Sequence, residues 1–150
     1  MWNIKEQIVS AAQSMKIEVK ELSVSETKNI FHQLAIKYAD GKNRFPLWEH
    51  LTVQLAVNNS DAWRWIGEYI ADSEALLLFN PTDEKSSFAI VGGSNVVKIL
   101  SEMFNVEFYV TNKAFDYLFC FNHHDVLIAS GNSIEWLKKY KTPQYDRFLQ

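Results

Sequence analysis

The stretch Tyr117–Gly131, YLFCFNHHDVLIASG, decides the fold. Its two apolar arms, YLFCF and VLIA, have strand length and flank a polar centre, Asn122–Asp125. Asn and Asp favour turns because their side chains hydrogen-bond nearby backbone, and Asn and His tolerate positive φ better than most residues. The segment therefore predicts two adjacent antiparallel strands joined by a surface turn, with Phe119 or Cys120 in the core beneath it. The first arm is apolar at every position. Alternation fails there, as expected for a strand covered on both faces, hence central in its sheet.

Working outward, apolar runs of similar length recur. VEFYV (106–110), SFAIV (87–91), ALLLF (75–79) and LTVQLAV (51–57) read as strands, with NPTDEKS as a polar turn between the third and second of these. Helical spacing appears elsewhere. Ile4, Ile8, Ala11, Ala12 and Met15 predict a helix over 3–15. Ser23 and Glu26 stand at capping-box spacing before Ile30, Phe31, Leu34 and Tyr38, and Gly41 supplies a stop. Asn59 or Ser60 offers cap chemistry to a helix striped by Ala62, Trp65, Ile66 and Tyr69. Gly92 and Gly93 turn into a helix with Val96, Ile99, Leu100 and Met103 inward, and NSIEWLKKY reads as a short final helix. Short turns between strands favour antiparallel pairing. The expected class is α+β: one domain over 1–150, a single antiparallel or mixed sheet of about five to six strands, and N-terminal and flanking helices packed on it.

Composition agrees with a folded domain. The chain has 150 residues, is 47% hydrophobic and 22% charged, and is long enough to bury a core without staples. Its lone cysteine, Cys120, excludes an internal disulfide and fits a reducing, cytoplasmic setting. No secretory leader is expected from the first fifteen residues, and no run approaches the roughly 18 apolar residues of a membrane span. A net charge of −3 argues against a nucleic-acid partner. Between Asp61 and Glu84, six acids face one base, Arg64, so Asp72 and Glu74 become candidates for contact with a basic protein partner. The plainer account of these charges is a solvated surface. Trp63 and Trp65 lie about 200° apart on a helix, so one is expected in the core and the other outside, where a tryptophan anchors interfaces well.

Catalytic readings are incomplete. Adjacent residues of a strand point to opposite faces, so His123, His124 and Asp125 could converge on a metal only within a turn, and the other histidines, His32 and His50, are distant in sequence. Cys120 sits in an apolar strand, where a thiol stays protonated. Ser94 in GGSNVV matches no phosphate-binding or nucleophile motif and reads as a helix N-cap. Glu49 and His50 read as the approach to a strand, with Trp48 in the core. No cofactor and no metal site are expected.

Three segments together carry a resemblance: LWEHL, FYVTNKAFDYLFCFNHHDVLIASG and EWLKKY. The pattern of Trp48, Glu49, Tyr109, Lys113, Phe115, Asp116, Asn122, His123, His124, Asp125 and Gly131 resembles a group of small bacterial proteins without an assigned activity. In size and α+β build these are similar to single-domain immunity proteins of bacterial toxin systems and, distantly, to the SUKH superfamily. The resemblance implies no catalytic residues, and the incomplete catalytic constellations, the acidic 61–84 segment and the aromatic-rich chain point to a binding role. The expectation is a cytoplasmic binding module, the immunity partner of a bacterial toxin, monomeric or a weak homodimer, that contacts its protein partner through Trp63, Asp72, Glu74, Asn122, His123, His124 and Asp125. The alternative is a metal-dependent or acid–base hydrolase built on His123, His124 and Asp125.

Overall fold

The computed structural model describes residues 3–103 and 105–150. Five α-helices and seven strands follow one another as α1 (Ile4–Met15), β1 (Val19–Leu22), α2 (Val24–Tyr38), β2 (Leu55–Asn58), α3 (Ala62–Ile70), β3 (Glu74–Leu78), β4 (Ser87–Val91), α4 (Gly93–Ser101), β5 (Phe108–Thr111), β6 (Tyr117–Phe121), β7 (Val126–Gly131) and α5 (Ser133–Leu137). The strands form one sheet in the order β1-β4-β3-β5-β6-β7-β2, and every pairing is antiparallel. The class is α+β as expected, with seven strands rather than five or six. The helices are not gathered at the start of the chain but interleaved with the strands.

Side chains alternate across the sheet and divide the core in two. Phe119, Val110, Leu77 and Ile90 meet α1, α3, α4 and α5 on one face. Leu118, Cys120, Tyr109 and Leu76 meet α2 and the Leu47–Leu51 segment on the other. All five residues of β6 are buried, because layers cover both of its faces. Phe119 and Cys120 both lie in the core, on opposite sides.

The additional strand, β1, pairs with β4 at one edge. It is short and carries Lys20 and Glu21, so its apolar signal is weak. Such a short, charged strand discourages pairing with another chain. At the other end the strand expected over 51–57 is shortened to Leu55–Asn58. Thr52 explains this: its N–H and Oγ1 both donate to the Tyr38 carbonyl, at 2.9 and 3.3 Å, which ties the chain to the end of α2 instead of to the sheet. Before it, Leu47–Glu49 forms a 3-10 turn rather than a strand approach, while Trp48 is buried as expected.

The cap of α2 is the capping box of Ser23 and Glu26. For α3 the N-cap is Asp61 rather than Asn59 or Ser60, and the Asn59 side chain instead accepts from the Asp61 N–H at 2.8 Å. For α4 it is Gly92 rather than Ser94. Here α3 and α4 touch backbone to backbone: a Cβ on Gly93 would lie 2.1 Å from the Gly67 carbonyl oxygen. Only glycine permits that approach.

Candidate functional site

Asn122–Asp125 is a surface turn between β6 and β7, as the sequence predicts. The Asp125 N–H donates to the Asn122 carbonyl at 3.1 Å, and the Asn122 N–H to the Val126 carbonyl at 3.2 Å. Asp125 takes φ 60°, the left-handed conformation that closes a three-residue hairpin loop. The Asn122 side chain stays within the turn and accepts from the N–H groups of His124 (2.9 Å) and Val126 (3.3 Å). Asn122 is therefore a builder of the turn. His123 and His124 are exposed, their rings 3.9 Å apart at 45°.

His123 and Asp125 have different neighbours. His123 Nδ1 lies 2.5 Å from Glu107 Oε2, which also accepts from the His123 N–H at 3.0 Å. Glu107 continues inward. Its Oε1 meets Asn80 Nδ2 at 3.5 Å, Asn80 Oδ1 accepts from the Tyr109 hydroxyl at 2.6 Å, and that hydroxyl accepts from the Leu47 N–H at 2.8 Å. A polar chain thus runs from the exposed His123 to the opposite face of the sheet. Burial pushes the Tyr109 hydroxyl well above its ordinary pKa, so it serves only as a neutral donor and acceptor. Asp125 turns the other way, with Oδ2 3.8 Å from Arg147 Nη2.

Two clefts flank the tip and share Asn105 and Val106 in their walls. The first, about 490 Å³ and open, holds His123, Glu107 and Asp83, with Asn3 and Gln7 at the start of α1 opposite. Desolvation, and then the Glu107 charge, raise the Asp83 carboxyl above the usual carboxylate range. The second, about 250 Å³, holds Trp63, Ser60 and Asp125 over Phe108 and Phe121. Trp63 and two residues of the tip, chosen separately from the sequence, therefore belong to one end of the sheet.

The expected division between the two tryptophans is corrected. Both are half-buried. The Arg64 guanidinium lies 4.8 Å from the Trp63 ring, and Tyr140 stacks on Trp65 at 4.0 Å, because the C-terminal segment folds back over α3.

Asp72 and Glu74 lie at the far end of the sheet, and Glu74 pairs with Lys113 at 3.0 Å. The acids between Asp61 and Glu84 do not form one patch. Glu68 is held by Lys139, the Trp136 indole N–H and Tyr140, which lower its pKa, Lys139 foremost. Glu84 accepts from the Lys5 N–H at 3.1 Å beside α1. Cys120 is fully buried and its thiol is pushed well above its ordinary pKa by desolvation. His32 is exposed on α2, Glu49 ends the 3-10 turn before β2 and His50 caps it. Among the described residues, no three His, Cys, Asp or Glu side chains are grouped to hold a metal ion, and no helix is long and apolar enough to cross a membrane.

Several residues that shape the tip carried no sequence signal of that role. Glu107, Asn58, Asp146 and Arg147 are the main ones. Asn58 Nδ2 donates to the His124 carbonyl at 2.8 Å and its Oδ1 accepts from Arg147 Nε at 2.9 Å. Asp146 is completely buried. Its Oδ1 accepts from the N–H groups of Asn58 and Phe148, both at 3.0 Å, and Oδ2 pairs with Lys141 Nζ at 2.8 Å. Burial works against its ionised form, but Lys141 and the two N–H groups outweigh burial and hold the carboxyl below its usual range. The C-terminal segment is thus a brace along β2 that supports the tip from behind.

The model of a family of unknown function, DUF6756, matches residues 1–141. The chain belongs to this family. The match covers both clefts and the hairpin, whereas Asp146 and Arg147 of the brace lie beyond it. No curated protein and no solved structure matches the chain.

Proposed function

We propose that this DUF6756 protein is a binding module for another protein, that the β6–β7 tip is its recognition surface, and that its partner is a toxin that it neutralises. The observation that carries the binding reading is His124. Its backbone is fixed by Asn122 and Asn58. Its exposed ring lies near the His123 ring and has no hydrogen-bond or ion-pair partner among the described residues. A rigid turn that presents unused donors and acceptors loses little freedom when a partner binds. Asp83, Glu107 and Asp125 surround the tip with carboxylates and favour a basic surface on the partner. The toxin form of the proposal rests on the resemblance in size and build to single-domain immunity proteins. Working as a cytoplasmic monomer fits the sheet's edges, one short and charged, the other covered by the C-terminal brace. The test is co-purification of the tagged protein with the product of the adjacent gene. Retention by the native protein and loss by His123→Asn/His124→Asn is expected; equal retention by both would remove the tip from the interface.

One observation favours a second reading, an acid–base hydrolase. A carboxylate 2.5 Å from an imidazole, in an open cleft, can orient the ring for proton transfer. A panel of ester and phosphoester substrates, with Glu107→Gln as control, separates the two. Turnover by the native protein that Glu107→Gln reduces at least about tenfold supports hydrolysis. Metal analysis of the purified protein decides whether such turnover uses a bound ion.

A further inference from the structure

On the other side of the β3–β4 connection from the histidine cleft lies a smaller, more apolar cavity of about 380 Å³. Its walls come from three separate segments: the first half of α2, Asn43 with Phe45, and Pro81 with Lys85. Val24, Phe31, Phe45 and Pro81 supply apolar surface. Phe45 stands edge-on to Phe31 at 4.8 Å yet remains 38% exposed, and Val24 is 39% exposed. Lys28 and Lys85 also line it, and both are exposed. Neither has an ion-pair partner among the described residues, and no carboxylate lines the cavity.

We propose that this cavity binds a small amphipathic carboxylate, its apolar body on Phe31 and Phe45 and its anion between Lys28 and Lys85. Charge complementarity sets the sign of the ligand. Two unpaired ammonium groups over an apolar floor match a molecule with one charged end, and they repel a cation. The shape sets the class. The volume falls within the roughly 300–1,000 Å³ of small-molecule sites. A compact hole walled by three segments offers an extended peptide neither a strand edge nor a long groove. An inorganic anion would leave the aromatic floor unused.

The experiment titrates the full chain with octanoate, octylammonium and inorganic phosphate, followed by backbone amide NMR. Octanoate is expected to saturate with a Kd of about 1 mM or tighter, moving the amides of Val24, Lys28, Phe31, Phe45 and Lys85. Octylammonium and phosphate are expected to bind at least about tenfold more weakly. Lys28→Glu/Lys85→Glu changes two exposed side chains, so it should keep the thermal transition and reverse the preference toward octylammonium. Equal binding of octanoate and octylammonium, an unchanged preference in the double variant, or shifts confined to another surface would each overturn the proposal. So would sedimentation with phosphatidylglycerol vesicles in the absence of octanoate binding, which would assign the surface to a membrane instead.

Discussion

Strand β6 begins and ends in turns built alike. In the first, Asn112–Asp116, the Asn112 carbonyl accepts from the Phe115 N–H at 3.0 Å, the Asn112 side chain accepts from the Asp116 N–H at 3.0 Å, and Phe115 takes φ 55°. In the second, Asn122–Asp125, Asn122 plays the same part and Asp125 takes φ 60°. Their surroundings differ. The Phe115 carbonyl accepts from both the Tyr38 hydroxyl (2.5 Å) and Lys37 Nζ (2.7 Å), and the Asp116 carbonyl accepts from the Asn132 N–H at 2.9 Å. Gly131 closes that end because a Cβ there would lie 2.5 Å from the Tyr38 hydroxyl. The first turn spends its polar groups on the fold. The second is held by Asn58 behind it and by Glu107 at His123, and its His124 imidazole is left facing outward. Local turn chemistry is therefore uninformative about role; the turns are distinguished by how the rest of the chain engages their free groups.

The comparison breaks most readily at Gly131. Gly131→Ala adds a Cβ where φ is +70° and where Tyr38 already sits. The expected loss is about 3 kcal/mol or more, read as a lowered urea midpoint. A loss below about 1 kcal/mol would show that this end can relax and is not the anchored one.

The brace is next. Asp146→Asn keeps the size of the side chain but removes the charge facing Lys141, and is expected to cost about 2 kcal/mol at neutral pH. The native carboxyl titrates below its ordinary value, so its contribution is present above about pH 4 and is lost as pH falls through the depressed folded value. The gap between native and variant unfolding free energies should then close in acid. A gap independent of pH would mean that shape rather than charge holds the segment.

Tyr38→Phe is a smaller probe of the anchored turn. It removes one of two donors to the Phe115 carbonyl, with Lys37 remaining. Burial raises the Tyr38 hydroxyl to about 12, so it is a neutral donor throughout the accessible range. The expected cost is about 1 kcal/mol with no pH dependence between pH 6 and about 9. Urea unfolding at those two pH values checks it.

How much of the molecule is legible in its sequence depends on how far each contact reaches along the chain. The hairpin, the α2 capping box and the double burial of β6 depend on residues within a few positions of one another, and periodicity exposes them. Strand β1 is hidden because four residues with two charges at a sheet edge differ little from a loop. The 51–57 stretch has strand composition, but Thr52 is claimed by Tyr38, a contact that no local pattern announces. At the site, the turn itself is legible. Glu107 and the C-terminal brace are not, since they meet His123 and His124 only through the order β5-β6-β7-β2. The same order parts Asp72 and Glu74 from the tip by the length of a strand, about 17 Å for five residues.

The smallest effect on stability is expected where the effect on binding is largest. His123→Asn/His124→Asn removes two exposed rings and leaves Asn122, Asp125 and Asn58 in place. The fold loses one side-chain contact, that of the exposed His123 ring with Glu107, and Glu107 keeps the N–H of residue 123 and the Asn80 amide as partners. The expected change in unfolding free energy is within about 0.5 kcal/mol. Partner binding should weaken by about 2 kcal/mol, close to thirtyfold in Kd, because the rings are the groups left for contact. Asp72→Lys/Glu74→Lys at the other end is the paired control, and should leave that Kd unchanged while removing the Lys113 pair. If the distal charges mattered as much as the histidines, the interface would have to run the length of the sheet, and the contrast between the two ends of β6 would no longer describe where this protein makes contact.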